Sequence, residues 1–188
     1  MPETLIRAAT MQDLPRLTEI YNHYVLHTPV TFDLEPFTAT ERSAWFNQFS
    51  LTGRHRLLVA VENDIVVGYA GTTRFRAKAA YDTTVEATIY CAQEAVSKGI
   101  GRRLFTALFQ AIDQEDIHRI VGGYTMPNPG SASLLEKFQF RPVGVFHQVG
   151  RKFDRYWDVA FADRPLRLPD PKPVTQPPHE TSASGLIE

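Results

Sequence analysis

The stretch that decides the fold reads Val96-Ser97-Lys98-Gly99-Ile100-Gly101-Arg102-Arg103. It joins residues 83–91, typical of a β-strand, to residues 99–114, whose apolar positions follow a helical period. Two glycines let the backbone approach a ligand closely, and the first turn of a helix leaves N–H groups without intrahelical partners. The helix dipole and three basic side chains add positive charge. The junction therefore indicates an anion-binding loop, although alone it is equally compatible with a glycine-containing surface turn.

Apolar residues elsewhere recur at two periods, one typical of strands and the other of helices. Strands are predicted at residues 5–8, 57–61, 65–75, 83–91, 117–124, 143–149 and 156–161. Helices are predicted at residues 14–25, after a capping box at Thr10 and Asp13, more weakly at 40–49, and at 99–114 and 131–137. This order predicts an α+β fold in which helices pack against a mixed central β-sheet.

Composition and charge exclude several classes of protein. The chain has 188 residues, with 20 Lys and Arg against 21 Asp and Glu, so neither nucleic acid nor an anionic membrane is an expected partner. No apolar run approaches the roughly 18 residues of a membrane helix. A single cysteine, Cys91, excludes an intrachain disulfide and a multi-thiolate zinc site. His23 and His27 lack a third ligand, so no metal is expected. The N-terminus lacks the pattern of a secretory signal, which favours a cytoplasmic location.

The composition changes once along the chain. Residues 165–188 contain six of the thirteen prolines and no aromatic residue, so they can bury little surface against the entropy of ordering them. We therefore expect a flexible, proline-rich tail at 165–188. Residues 1–164 show no repeat or linker and are predicted to form one domain that carries the function.

The spacing of the glycine loop excludes two familiar phosphate-binding motifs. A dinucleotide fingerprint requires glycine or alanine where the chain has Leu104, and the Gly-Lys-Ser/Thr of a P-loop is absent. The loop instead resembles the acyl-CoA pyrophosphate loop of the GNAT superfamily of N-acetyltransferases, whose pattern is Gln/Arg-x-x-Gly-x-Gly/Ala. Gly99 and Gly101 match this pattern, and Val96 departs from it.

Further signatures narrow the resemblance to the phosphinothricin and methionine sulfoximine acetyltransferase group. They are Ile20-Tyr21-Asn22-His23, Thr31-Phe32, Ala44-Trp45-Phe46, Tyr81-Asp82, Val85-Glu86, Asn128 and Gln148-Val149-Gly150-Arg151-Lys152-Phe153. The resemblance spans about residues 5–161. It implies the GNAT fold, with helices on both faces of the sheet, acetyl-CoA as cosubstrate, a small-molecule amine as acceptor and a homodimer.

Glu86 is the candidate catalytic residue. Amide formation from a thioester requires that an ammonium group first lose a proton, and a carboxylate of raised pKa can accept it. Glu86 lies between the apolar residues Val85 and Ala87, where partial desolvation is expected to raise its pKa. The group's proposed catalytic glutamate aligns with this position. The alternative is a strand glutamate that simply faces solvent.

The resemblance also implies which residues hold acetyl-CoA. In the superfamily the strand before the glycine loop splays from its neighbour, and its free backbone groups pair with the pantetheine arm; here Ile89 and Tyr90 are expected to contribute backbone. The expected binding residues are Thr88, Ile89, Tyr90, Val96, Ser97, Lys98, Gly99, Ile100, Gly101, Arg102, Asn128 and Lys137. For Asn128 and Lys137 a helix-cap residue and a solvated charge remain alternatives.

Two positions bear on the rest of the chemistry. The superfamily often has a tyrosine that assists departure of the CoA thiolate, but the matching position here is Leu135, which has no proton to donate. A thiolate with a pKa near 8.5 leaves fairly well unaided. Cys91 lies on the opposite strand face from Glu86 and has no base paired with it in the sequence, so it is interpreted as a core residue.

The acyl acceptor is expected to bind in the loop that precedes Glu86. Arginine can hold a carboxylate with two hydrogen bonds, and aromatic rings can enclose a small amino acid. The expected substrate-binding residues are Phe32, Phe75, Arg76, Lys78, Tyr81 and Val85. The alternative is an exposed basic hairpin tip.

The sequence therefore predicts an acetyl-CoA-dependent N-acetyltransferase acting on the α-amino group of a small amino acid or glutamate-like analogue, by direct transfer with a glutamate base. Two alternatives stay open. One is acetylation of a peptide or protein amine, and the other is a CoA-binding regulatory module that has lost catalysis, which Val96 and Leu135 would suggest.

Overall fold

A seven-stranded mixed sheet of order β1-β2-β3-β4-β5-β7-β6 forms the centre of the computed structural model, which describes residues 3–96 and 98–167. The strands are β1 (Leu5–Ala8), β2 (Leu57–Glu62), β3 (Ile65–Arg74), β4 (Thr84–Cys91), β5 (Arg119–Thr125), β6 (Arg141–Lys152) and β7 (Arg155–Pro165). The helices are α1 (Leu14–His27), α2 (Ser43–Phe46), α3 (Ile100–Ala111) and α4 (Pro129–Lys137). The predicted α+β class is confirmed.

Helices cover both faces of the sheet. On one face the ring of Tyr90 meets the rings of Tyr21 and Tyr24 of α1, with centroid distances of 5.1 and 5.2 Å. On the other face α3 lies so close that a Cβ at Gly101 would stand 3.3 Å from Cδ1 of Ile89. Because side chains alternate along a strand, Glu86 and Tyr90 share the α1 face.

The start of α1 follows the predicted capping box. The carboxylate of Asp13 accepts hydrogen bonds from the backbone N–H and hydroxyl of Thr10, and a short 3-10 turn at Met11–Asp13 leads into the helix. Leu17, Ile20 and Val25 of α1 are buried. The burial of these side chains holds α1 against the sheet beside β4.

The long helix predicted at residues 40–49 is wrong, because α2 spans only Ser43–Phe46. The carboxylate of Glu41 accepts from the backbone N–H and hydroxyl of Thr38, which makes a turn just before the helix. The N–H of Ser50 donates to the carbonyl of His55, so the chain has already reversed toward β2. The residues on either side of α2 therefore form local turns and do not extend the helix.

The expected domain boundary between residues 164 and 165 falls inside the last strand. β7 includes Pro165, Leu166 is buried, and the guanidinium of Arg167 donates to the carbonyl of Asp113. The folded domain therefore extends to Arg167, while residues 168–188 of the expected tail lie outside the described residues. Over the ranges that the structure describes, no helix is long and apolar enough to cross a membrane.

β4 and β5 are paired over three residues only and then part. Thr84, Val85 and Glu86 of β4 pair with residues 119–121 of β5 in parallel, and the pairing stops there. β4 continues to Cys91 along β3, and β5 continues along β7. A wedge-shaped gap therefore opens in the middle of the sheet, just beyond Glu86.

Candidate active site

The gap between β4 and β5 is a narrow cavity of about 60 Å³. Its walls include Ile89 of β4, Tyr124 of β5 and Leu134 of α4. The gap leads from the sheet centre to the N-terminus of α3, because Gly101 packs against both Ile89 and Leu134. The pantetheine arm of acetyl-CoA is expected to lie along this gap.

The register of β3 and β4 decides which backbone groups face the gap. The N–H of Ala92 donates to the carbonyl of Val67, so the opposed pair of Cys91 and Gly68 is not itself hydrogen-bonded. Since hydrogen-bonded pairs alternate along an antiparallel ladder, the N–H and C=O of Ile89 point away from β3 and toward the gap. These groups are therefore available for the backbone role predicted for Ile89, which stays a prediction.

The same alternation turns the backbone groups of Thr88 and Tyr90 toward β3. Their N–H and C=O belong to hydrogen-bonded pairs with Gly71 and Tyr69. The expected backbone contribution of Tyr90 is therefore wrong, because its polar groups are already used. Thr88 and Tyr90 still line the cavity.

The glycine loop has the geometry of an anion-binding turn. Gly99 adopts a left-handed conformation with φ of 81° at the N-cap of α3, where a Cβ would be strained, and nothing lies within 4 Å of that position. The exposed Lys98 and Arg102 make no ion pair with the described residues, so their charge is free for a ligand. Val96 is exposed and Ile100 is buried, so Ile100 offers the ligand backbone only. Ser97 lies outside the described residues.

Arg103 does not reinforce this charge, because its guanidinium donates to the carbonyl of Thr4 at 2.7 Å. Asn128 is the N-cap of α4, and its Oδ1 accepts from the backbone N–H of Ser131. Lys137 ends the same helix, nine residues and roughly 13 Å further on. Lys137 and Asn128 therefore lie at opposite ends of α4. Asn128 fits the helix-cap alternative and the exposed Lys137 fits the solvated-charge alternative, while their predicted contacts with acetyl-CoA stay predictions.

Two positions close other chemical routes. The side chain of Leu135 is buried against Gly122, whose lack of a side chain leaves space for it. Leu135 has no proton to donate to the departing thiolate. Cys91 packs against the hydrophobic core, and burial raises the pKa of its thiol to about 11. A thiol protonated at neutral pH is a poor nucleophile, which agrees with its interpretation as a core residue.

Glu86 is a half-buried carboxylate at the mouth of the gap. It lies opposite Thr73 of β3 and Val121 of β5. Burial raises the pKa of Glu86 above its ordinary value, and the positive charge of Arg76 partly offsets the rise. Across residues 3–96 and 98–167, no side chain donates a hydrogen bond to this carboxylate. An unengaged, partly desolvated carboxylate of this kind can accept a proton.

A largely apolar cavity of about 470 Å³ lies beside Glu86. Phe75, Arg76 and Tyr81 form one wall, with the two rings edge to face at 5.9 Å. Phe146 and Phe161 form another wall. The structure therefore brings together three of the six residues expected to bind the acceptor.

The other three expected residues lie elsewhere. Lys78 is exposed at the loop surface. The side chain of Val85 is completely buried on the α3 face, so the predicted substrate contact of Val85 could come only from its backbone. Phe32 lies on Gly150, so close that a Cβ there would stand 2.3 Å from the ring. Phe32 thereby joins the α1–α2 connection to β6.

A second cavity, which the sequence did not predict, lies on the Glu86 face above β3 and β4. It has a volume of about 370 Å³ and is lined by Arg42, Trp45 and Tyr69 among others. The quoted motif Ala44-Trp45-Phe46 is adjacent to Arg42, but no pattern in the sequence indicates that the arginine turns inward.

Comparison with known proteins shows the family. Residues 6–161 match the model of the acetyltransferase (GNAT) domain. The chain is 48% identical over 166 residues to phosphinothricin N-acetyltransferase of Streptomyces coelicolor, covering 87% of this chain and 97% of that protein. It is 34% identical over 156 residues to L-methionine sulfoximine/L-methionine sulfone acetyltransferase of Salmonella typhimurium, covering 83% and 91%.

Solved structures agree. A GNAT superfamily phosphinothricin acetyltransferase from Sinorhizobium meliloti in complex with acetyl-CoA superposes with a TM-score of 0.81 at 32% identity, covering 87% of this chain and 88% of that one. A putative acetyltransferase from Salmonella typhimurium with acetyl-CoA gives 0.81 at 31% identity, covering 90% and 99%. The chain belongs to the GNAT acetyltransferases. It is an acyltransferase, and the predicted fold and family are confirmed.

Proposed function

We propose that this enzyme transfers the acetyl group of acetyl-CoA to the α-amino group of a small amino acid or glutamate-like analogue, of the phosphinothricin or methionine sulfoximine type. The observation that carries the proposal is Glu86, an unengaged carboxylate of raised pKa between the β4–β5 gap and an aromatic-walled cavity. The names of the relatives, which specify these acceptors, support it. We place the enzyme in the cytoplasm, with no resident metal.

Glu86 acts as the general base. It removes a proton from the acceptor's ammonium group, directly or through one water, and the freed nitrogen attacks the thioester carbonyl. The new C–N bond forms as the C–S bond breaks, and the products are the N-acetyl amine and CoA. The negative charge that develops on the carbonyl oxygen is stabilised by the N–H of Ile89, which the register directs into the gap.

The departing thiolate needs a proton at the end of the reaction. Leu135 has none, but Tyr124 lines the same gap and carries a hydroxyl group. Tyr124 is therefore our candidate proton donor, with solvent as the alternative. Sequence reasoning missed it because the tyrosine lies on β5 and not on α4.

Arg76 holds the acceptor's carboxylate. Its guanidinium lies over the ring of Phe75 at 4.8 Å, and its charge reaches Glu86. The loop that carries it is fixed by Arg74, whose Nη2 donates to Asp82 at 2.5 Å. An amino acid bound here presents its amino group to Glu86.

The homodimer stays a proposal, and β6 supports it. This edge strand exposes the apolar residues Val143, Val145, Phe146 and Val149, the first three of which also line the acceptor cavity. A second copy packed on β6 would cover them and close the cavity. Light scattering should give twice the monomer mass; a monomer at micromolar concentration would contradict the dimer.

A thiol-release assay tests the proposed function. The wild-type enzyme is incubated with acetyl-CoA and, separately, phosphinothricin, methionine sulfoximine, ordinary amino acids and a peptide with a free amine. We expect turnover on the first two. Preference for the peptide would favour a protein acetyltransferase, and CoA binding without turnover on any acceptor would favour a regulatory module.

The raised pKa of Glu86 has a consequence for the pH dependence. Because only the carboxylate form accepts a proton, kcat/KM should fall as the pH falls through this pKa, which burial raises above that of an ordinary glutamate. The acceptor's own ammonium group titrates at higher pH and gives a second limb. The measurement is kcat/KM against pH, in which Glu86→Gln should lose the lower limb and keep the upper one. A lower limb that survives in that variant would assign it to another group.

A further inference from the structure

The second cavity, which we term the Arg42 cavity, is lined by side chains of α1, α2 and the sheet face that carries Glu86. Its lining includes Tyr21, Arg42, Trp45, Tyr69 and Thr88. It has a volume of about 370 Å³, enough for one end of a small molecule. The proposed mechanism uses none of its polar groups.

Arg42 enters this cavity as a buried cation. The residue is 6% exposed, and its guanidinium carbon lies 4.2 Å from the ring centroid of Tyr21 and 3.9 Å from that of Trp45. The guanidinium group carries five N–H donors and no acceptor. Within the described residues it makes no ion pair, and its one hydrogen bond runs to the carbonyl of Leu17 at 3.4 Å. Cation–π contacts offset only part of the loss of hydration.

Tyr69 provides a second, independent sign of a missing partner. It is 1% exposed and lines the same cavity, and its hydroxyl has no hydrogen-bond partner among the described residues. Burial raises the pKa of Tyr69, so the hydroxyl stays protonated and can donate. Buried polar groups are almost always hydrogen-bonded, so an unpaired hydroxyl beside a guanidinium with one long hydrogen bond and no ion pair indicates a missing acceptor atom.

The other charged groups around the cavity are already engaged. Arg74 is paired with Asp82, and Glu41 accepts from Thr38. Asp33 accepts from the hydroxyl of Tyr21. Asp33 and Glu41, which also line the cavity, keep their negative charge, but their oxygens already accept hydrogen bonds. No carboxylate of the described residues pairs with Arg42, so its remaining N–H donors are available to an anionic acceptor.

The Arg42 cavity begins close to Glu86. Thr88 lines the cavity on the same strand face two residues from Glu86, or roughly 7 Å along β4. Thr73, which also lines it, lies directly opposite Glu86. The amino nitrogen and the distal acid group of a glutamate-like molecule are separated by roughly 5–6 Å, so an acceptor with its amino group at Glu86 can extend its far end toward this cavity.

We propose that the Arg42 cavity is the subsite for the acceptor's distal acid group, bound by the guanidinium of Arg42 and the hydroxyl of Tyr69. This inference rests on the proposed function, and it explains how the enzyme would favour an acceptor with two acid groups. Arg76 holds the α-carboxylate, Glu86 takes the ammonium proton, and Arg42 holds the far end.

The test compares two acceptors in Arg42→Gln. Phosphinothricin has a distal phosphinate anion, whereas methionine sulfone has an uncharged sulfone there. We expect kcat/KM for phosphinothricin to fall about tenfold, mainly through KM, and kcat/KM for methionine sulfone to change less than twofold. Arg155→Gln is the matched control, since that arginine also stacks on an indole ring, that of Trp157 at 3.9 Å, but is exposed; it should change neither value.

Equal losses on both acceptors, or no loss on either, would overturn the subsite while leaving the proposed function intact. A wild-type enzyme inactive on both acceptors would overturn both proposals. If Arg42→Gln does not fold, inhibition of the wild-type enzyme still tests the subsite. Glutarate, with two carboxylates, should then compete with phosphinothricin about tenfold more strongly than butyrate, which has one, and equal inhibition constants would refute the subsite.

Discussion

Glu86→Gln is expected to lower kcat by about 10²-fold or more, because the amide keeps the size of the side chain but cannot accept a proton. The KM for acetyl-CoA should stay nearly constant, since the thioester gap and the glycine loop are unchanged. Initial rates at saturating acceptor, together with calorimetric binding of acetyl-CoA, measure the two effects separately.

Glu62→Gln is a matched control for this variant. Glu62 is also a partly buried glutamate on a strand of the same sheet, but it accepts a hydrogen bond from Thr4 and lies on β2. Its replacement should leave kcat unchanged. If the rate of Glu86→Gln equals that of wild type, Glu86 is not the base and the mechanism must be reassigned.

Gly101→Asp should weaken acetyl-CoA binding by about 30-fold, which corresponds to ~2 kcal/mol. The new Cβ would stand 3.3 Å from Ile89 and 3.5 Å from Leu134, and both residues line the β4–β5 gap. The carboxylate would also place negative charge at the N-terminus of α3, where a diphosphate is expected. Titration calorimetry with acetyl-CoA is the direct measurement.

Gly101→Asn separates the two causes, because it adds the same bulk without the charge. We expect it to lose about half of the free energy that Gly101→Asp loses. Thermal stability of the aspartate variant should not fall far, since a negative charge at a helix N-terminus favours the helix. Undiminished binding in Gly101→Asp would mean that the pyrophosphate lies elsewhere.

Local patterns made much of this fold predictable. The alternation along β4, the helical period of α3 and the glycines between them lie within some 30 residues, so propensity and packing agree there. The raised pKa of Glu86 was also accessible, because its apolar neighbours Val85 and Ala87 are adjacent in sequence. The short length of α2 could not be predicted, because turns at Thr38 and Ser50 compete with a weak helical pattern.

Features that depend on distant parts of the chain could not be predicted. The Arg42 cavity needs α1, α2 and β3 to be placed together, and no single segment shows that Arg42 turns inward. The backbone groups of Tyr90 are unavailable to the cofactor because of the register between β4 and β3. The alternation of residues along a strand does not specify that register. Tyr124 enters the site only because β5 diverges from β4.

The short pairing between β4 and β5 also has a consequence for the rigidity of the sheet. With three paired residues on each strand, it is the shortest ladder of the sheet, and it joins strands β1–β4 to strands β5, β7 and β6. An elongated molecule that is hydrogen-bonded to the backbone of Ile89 on β4 and packed against Tyr124 on β5 would replace the hydrogen bonds that the two strands do not make there. We therefore expect bound acetyl-CoA to make the sheet more rigid, and the sheet to be most flexible along the β4–β5 gap when no acetyl-CoA is bound.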